Sequence, residues 1–256
     1  MSETYSEQIN NVAPLANVAR LTQLIDRCQN RAPGLPGMGC FHGRAGLGKT
    51  TAGTYGTNKF NACHVEAMPI GGAKRLFTMI VAELGLKPAS TSSELFDQAA
   101  QELAISGRPL IIDEADNMKG ESLIDLVRKL HDVSQATVIL MGEEKLPQSL
   151  QRWERVHSRI LSWVGAEAAT ADDVEHLARI YAVGIQLGPD LKSALLAASN
   201  GSIRNVATNL AHIREYALTR GLKKVDLGDW GQAAFHTGVA PVPRGPGVLH
   251  QLRRRG

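Results

Sequence analysis

The sequence predicts an α/β core on a mainly parallel, five-stranded sheet, followed by a small all-helical lid domain. Three observations carry that expectation. Strand-like and helix-like stretches alternate across residues 38–165, the pattern of a parallel sheet crossed by helices. Pro109-Leu-Ile-Ile-Asp113 and Ala136-Thr-Val-Ile-Leu-Met141 are continuous apolar runs, as strands covered on both faces require. After Gly165 the strand patterns stop, and helical stretches follow at about 171–183, 190–199 and 203–220.

The elements are read in order as follows. Residues 1–12 are polar and expected to fray. Val18, Leu21, Leu24 and Ile25 recur at helical spacing and predict a helix to Cys28, ended by the Pro- and Gly-rich loop 31–37. Met38–His42 is the first strand. A helix follows from Thr51 to about Lys59, weakened by Gly53 and Gly56. Asn61–Ala67 is the second strand and Met68–Gly72 a turn. Ala73–Leu84 is a helix closed by Gly85, and Ser93–Ile105 another with Ser93 as its N-cap. Glu121–His131 is a helix, and Ile160–Val164 reads as a fifth strand. Thr170 caps the next helix, with Asp173 at the capping-box position. Pro189 suits the start of the helix after it, and Gly221 ends the third. A shorter helix is expected at Gly228–Phe235, and the tail from Gly238 is rich in Pro and Gly. The divisions expected are an N-terminal helix and linker (1–37), a nucleotide-binding core (38–167), a lid (168–236) and a flexible basic tail (237–256).

Composition narrows the function classes. The 256 residues are 43% hydrophobic and 21% charged, the balance of an ordinary globular protein. A net charge of +3 neither demands nor excludes nucleic acid. Cys28, Cys40 and Cys63 have no metal-ligand spacing, which argues against a zinc site or disulfide framework. No run approaches a membrane span and no leader pattern is visible, so no membrane association and a cytoplasmic location are expected.

The chemistry sits at residues 43–50. Gly43, Arg44, Ala45, Gly46, Leu47, Gly48, Lys49 and Thr50 fit the phosphate-loop pattern G-x-x-x-x-G-K-[ST], with Thr51 following. Glycines let the backbone bend so that several N–H groups face one phosphate, and the helix N-terminus adds its positive end. Lys49 would reach the β and γ phosphates, and the Thr50 hydroxyl would ligate Mg²⁺. The strand 109–113 delivers Asp113 to the sheet edge where ligands bind, to hold the Mg²⁺ shell, while Glu114 is placed to polarise an attacking water. No N-K-x-D guanine-reading motif follows, which favours ATP over GTP.

With residues 43–50, Asp113-Glu114, the basic run before the fifth strand and a lone Arg in the lid, the chain resembles the AAA+ ATPases. That resemblance implies a P-loop AAA+ core with a helical lid carrying a sensor-2 arginine. Gly201-Ser-Ile-Arg204 matches the pattern, so Arg204 would touch the γ-phosphate region. It also implies an arginine finger from a neighbouring subunit. Arg152, Arg155 and Arg159 lie in the right stretch, with Arg159 first and Arg155 second by likeness to the S-R form of the initiator branch. Where the family carries a polar Asn, Thr or Ser as sensor 1, this chain has Met141-Gly-Glu143-Glu.

Across residues 15–235 the layout is similar to the transposition ATPases, the phage Mu B protein, TnsC and IstB group; secretion ATPases of the ExeA type share it. The resemblance implies an ATP hydrolase that assembles as a homo-oligomeric ring or filament on duplex DNA without sequence specificity and recruits a transposase. Assembly of protein complexes and helicase loading are its alternatives. Binding duplex DNA needs cations facing phosphates. Lys74 and Arg75, at a helix start, are the first candidates; Lys119 and Arg253–Arg255 come after. Trp153, Trp163 and Trp230 read as packing residues.

Overall fold

The computed structural model describes residues 15–239. The expected fraying of 1–12 and the basic Arg253–Arg255 tail lie outside them. Helix α1 (Ala16–Gln29) leads to β1 (Met38–His42), α2 (Lys49–Phe60), β2 (Cys63–Glu66), α3 (Gly72–Glu83), α4 (Ser92–Ser106) and β3 (Leu110–Asp113). A 3₁₀ turn at Ala115–Asn117 precedes α5 (Glu121–Ser134) and β4 (Val138–Gly142). Two short helices, α6 (Leu146–Gln151) and α7 (Glu154–His157), lead into β5 (Ile160–Gly165). The strands form one parallel sheet in the order β2-β3-β4-β1-β5.

The apolar runs have the expected cause. Leu110 and Ile112 of β3 and Val138 and Leu140 of β4 face a layer made by α3, α4 and α5. Their neighbours Ile111, Ile139 and Met141 face α1 and α2. Successive side chains point to opposite faces, so a strand buried on both faces must be apolar throughout. Helix α1 is part of this packing, with Leu21 and Ile25 fully buried. Gly56 of α2 belongs to the same contact, because a Cβ there would lie 2.9 Å from Ile25 Cδ1. The two glycines that weaken the helix on propensity thus let α1 and the sheet approach it closely.

The lid contains α8 (Ala171–Tyr181), α9 (Pro189–Ala198), α10 (Ile203–Thr219) and α11 (Leu227–Trp230). It carries one feature beyond helices. Strands β6 (Gln186–Leu187) and β7 (Lys224–Val225) form a two-residue parallel ladder, too short to leave a period in the sequence. Thr170 and Asp173 form the expected capping box of α8. The cap of α4 is Thr91 rather than Ser93, since a capping box pairs the cap with a Glu three residues on, which is Glu94. The shorter helix expected at Gly228–Phe235 is only Leu227–Trp230. Beyond it Phe235 stacks on Trp230, which is itself buried against Tyr216. Trp153 and Trp163 likewise pack against the core.

The three thiols are buried and free. Burial pushes Cys28 up to about 11 and Cys63 up to about 12, and Cys40 higher still, so they stand as neutral thiols filling space in the core. His131 is buried beneath the β1 entry, with Nδ1 donating to Ala136 O at 2.7 Å and Nε2 accepting from Gly37 N at 3.3 Å. Burial lowers its pKa, as it does for His42 and His64. An unfolded histidine binds its proton near pH 6.5, which the folded site refuses. Stability is therefore full above about pH 6.5 and falls as pH drops below it. Urea midpoints should decline on acidification through that window, and His131→Gln should flatten the decline; an unchanged slope in the variant would contradict the assignment.

Candidate nucleotide site

Residues 43–48 leave the end of β1 as a loop that closes on the first turn of α2. Gly46 and Gly48 have φ of +84° and +82°, a region L side chains enter at a cost. Space is also short, because a Cβ on Gly46 would lie 2.6 Å from Ser202 Oγ of the lid. The two left-handed glycines turn backbone N–H groups inward at a helix start, a concavity suited to anions. Lys49 Nζ donates to the carbonyls of Gly43 at 2.7 Å and Arg44 at 3.0 Å, so its ammonium lies along the loop.

Asp113 ends β3 and is 4% exposed, and both its oxygens are engaged. Oδ2 accepts from Thr50 Oγ1 at 3.0 Å and Oδ1 from Glu114 N at 2.8 Å. One hydroxyl and one carboxylate are hard oxygen donors of the kind Mg²⁺ accepts. Among the described residues no three His, Cys, Asp or Glu side chains form a metal cage. The set therefore fits an ion that takes its remaining ligands from phosphate and water. Glu114 follows in the left-handed conformation, φ +51°. Burial and then the Asp113 charge hold its pKa above the ordinary carboxylate value, while Lys49 pulls the other way. A carboxylate so raised is a stronger base.

Asp116, in the 3₁₀ turn, braces the end of β4 by accepting from Glu143 N at 2.6 Å. Gly142 O in turn accepts from Gly43 N at 3.2 Å, so turn, strand end and phosphate loop form one chain of bonds. A Cβ on Gly142 would lie 2.1 Å from Asp116 Oδ2 and 2.9 Å from Leu146 Cδ2. Gly142→Ala should cost about 2–3 kcal/mol of stability by forcing that carboxylate away. Denaturant titration measures it, and a change within error would show that the brace yields freely.

The lid completes the cleft. Lys49, Thr50, Thr51, Glu114, Glu143 and Arg204 line a space of about 690 Å³ between core and lid. Leu15, Leu177, Ile180, Tyr181, Ala207 and His212 line the same space, so mostly apolar side chains join the polar ones there. Arg204 N donates to Gly46 O at 3.2 Å, placing the start of α10 on the phosphate loop. The sequence missed Asn17, which is 4% exposed and pins lid entry and phosphate loop together. Its Nδ2 donates to Leu47 O at 2.9 Å and Glu167 O at 2.8 Å, and its Oδ1 accepts from Glu167 N at 2.9 Å. The available signal was an Asn one turn before Leu21 on the apolar face of α1. Asn17→Ala removes three hydrogen bonds and leaves the buried Leu47 carbonyl without its partner, and should cost about 1–3 kcal/mol, read as a lowered urea midpoint; an unchanged midpoint would mean the hinge does not need the clamp.

The other sequence candidates lie elsewhere. Arg159 O accepts from Met38 N at 3.1 Å, which puts Arg159 at the N-terminal sheet edge, away from its own cleft. Its Nε donates to Asp132 Oδ1 at 2.7 Å. Arg152 and Arg155 are exposed and form no ion pair among the described residues. Lys74 and Arg75 are exposed in the first turn of α3, and Lys119 is exposed just after the 3₁₀ turn.

Residues 34–150 match the AAA domain family model. The α/β architecture, with its five-stranded parallel sheet, matches that of the AAA+ P-loop core. The ORC1 protein of Aeropyrum pernix, solved in complex with DNA, is similar over 82% of this chain and 61% of its own, at 20% identity and a TM-score of 0.56. CDC6P from Pyrobaculum aerophilum is similar over 81% of this chain and 62% of its own, at 13% identity and a TM-score of 0.60. This chain thus spans about three-fifths of each. At these identities the likeness concerns fold. No curated protein sequence matches the chain. No helix among the described residues is long and apolar enough to cross a membrane.

Proposed function

We propose that this chain binds ATP with Mg²⁺ in the AAA domain cleft, hydrolyses it, and uses the nucleotide to assemble on duplex DNA. The observation that carries this is the convergence of Lys49, Thr50, Glu114 and Arg204 on one cleft that apolar side chains also line. Mg²⁺, held by Thr50 and Asp113, would neutralise phosphate charge as the bond to the leaving group breaks. Lys49 and the loop N–H groups orient the β and γ phosphates. Glu114, with its raised basicity, takes the proton of the attacking water. Arg204 answers charge on the γ phosphate from the lid side, so the lid position reports the nucleotide state.

Arg159 faces away from its own cleft, and we assign it to the cleft of a neighbouring subunit, which makes the hydrolytic site a property of the homo-oligomer, ring or filament. Arg159→Ala should lower turnover at least about a hundredfold and leave ATP binding by the monomer intact. The ion pair to Asp132 that it also loses is 41% and 29% exposed, worth under about 1 kcal/mol, so the fold should survive. Loss of monomer binding instead would give Arg159 a structural role.

DNA binding is supported by exposed Lys74 and Arg75 and by the fold shared with a protein solved on DNA. Contacts confined to phosphates would make binding independent of sequence and steeply salt-dependent. Recruitment of a transposase is the finer reading, from the layout of residues 15–235. Filter binding to duplex DNA with and without a non-hydrolysable ATP analogue tests the first step. Filaments or rings only with DNA and analogue support it, and nucleotide-driven oligomers indifferent to DNA would move the assignment to assembly of protein complexes.

A further inference from the structure

Two neighbouring side chains leave the 3₁₀ turn after Glu114 toward two different strands. Asp116 ties the turn to β4, as described above. Asn117 ties it to β2, its Nδ2 donating to Ala67 O at 3.0 Å. Ala67 N donates to Asp113 O at 2.8 Å, so Ala67 is held from both sides by the acidic corner of the cleft. It is buried, and it is the residue from which the chain departs into the turn before α3.

That turn exposes two apolar side chains next to two cations. Ile70 is 69% exposed and Met68 36%, with Pro69 between them limiting the backbone. Lys74 and Arg75 stand beside them, exposed, and no acidic residue occurs between Ala67 and Val81. An apolar tip flanked by unneutralised cations matches a partner with phosphates outside and stacked apolar faces inside. Duplex DNA is such a partner, and aliphatic side chains inserted between base steps are a known way of gripping it.

We propose that Met68 and Ile70 form a wedge that enters duplex DNA, and that Asn117 couples this wedge to the nucleotide cleft. The proposal rests on the DNA-binding reading above and adds its contact and its regulation. Nucleotide sets the Asp113–Glu114 corner, the left-handed Glu114 fixes the turn that follows, and Asn117 carries the position of that turn to Ala67. Without the Asn117 bond the loop keeps its cations but no longer follows the nucleotide.

The test is the affinity of the full chain for a short labelled mixed-sequence duplex, with a non-hydrolysable ATP analogue and with ADP. Wild type should bind at least about tenfold tighter with the analogue, within the ordinary range of coupling between sites. Asn117→Ala should reduce that ratio below about threefold while its affinity for the analogue stays unchanged, because a merely structural lesion weakens both states together. An unchanged ratio overturns the coupling. The double variant Met68→Ser/Ile70→Ser, on an exposed loop, decides the wedge even if Asn117→Ala fails to fold. It should lose about tenfold with the analogue and keep the salt slope of wild type, since its phosphate contacts remain. Unchanged affinity overturns the wedge. Wild type binding no duplex in either state would overturn the DNA reading itself, a result distinct from failure of either variant. Preference for polyglutamate over duplex would assign the loop to an acidic protein and overturn the proposal.

Discussion

Lys49→Ala is expected to weaken ATP binding by at least about a hundredfold and to abolish nucleotide-dependent assembly, while the protein remains folded. The ammonium donates to two carbonyls of the phosphate loop, those of Gly43 and Arg44, in a position from which phosphates are within its reach. A cation facing two or three phosphate oxygens in a partly enclosed site makes charge-assisted bonds about twice as strong as neutral ones. At the exposed Arg44 carbonyl, water can replace the amine in the variant. The loop itself is held by other bonds, from Arg204 N to Gly46 O and from Asn17 to Leu47 O. Stability should therefore change little while binding collapses. Calorimetric titration with ATP, alongside thermal melting, separates the two. Binding within about threefold of wild type would remove Lys49 from the phosphate site and with it the central assignment.

The parts of the site visible in the sequence are those encoded locally. Eight consecutive residues specify the phosphate loop, and the apolar run 109–113 specifies both a doubly covered strand and the acids at its end. The structure brings Thr50 and Asp113 together across 63 residues because both stand at the same sheet edge, Asp113 at the end of β3 and Thr50 in the first turn of α2. What was not legible depends on contacts with no local signature. Asn17 meets Glu167 across 150 positions, and on α1 it reads as one polar residue on an apolar stripe. Asp116 and Asn117 look like further members of an acidic, solvated run until β2 and β4 are placed on either side of them. Helices α6 and α7, of six and four residues, are shorter than any periodicity that could announce them. The cap of α4 is a different case, because Thr91 and Glu94 already stand at capping-box spacing, and Ser93 pairs three residues on only with Phe96.

Glu114→Gln should leave ATP binding within about threefold of wild type and reduce hydrolysis at least about a hundredfold, freezing the assembled state. The substitution keeps the side-chain shape and the left-handed backbone, and removes only the capacity to take a proton. Asp113 keeps both its bonds, since they run from Thr50 Oγ1 and from the backbone N of residue 114. Side-chain position and the proposed Mg²⁺ ligands Thr50 and Asp113 are therefore untouched, which separates a lost base from a damaged site. The pH dependence sharpens the assignment. The base must be deprotonated to work, and burial together with the Asp113 charge raises its pKa, so the acid limb of wild-type turnover should lie above the ordinary carboxylate value. Asp113→Asn would remove the repulsion and shift that limb downward; it would also remove a proposed Mg²⁺ ligand, so the shift is read in the residual rate. Glu143 lines the same cleft and supplies the internal control. If Glu114→Gln hydrolyses ATP normally while Glu143→Gln does not, the base is the carboxylate at the end of β4. That result would give the bond from Glu143 N to Asp116 a further purpose, because Asp116 fixes the backbone N–H of Glu143 and so aims the group that takes the proton.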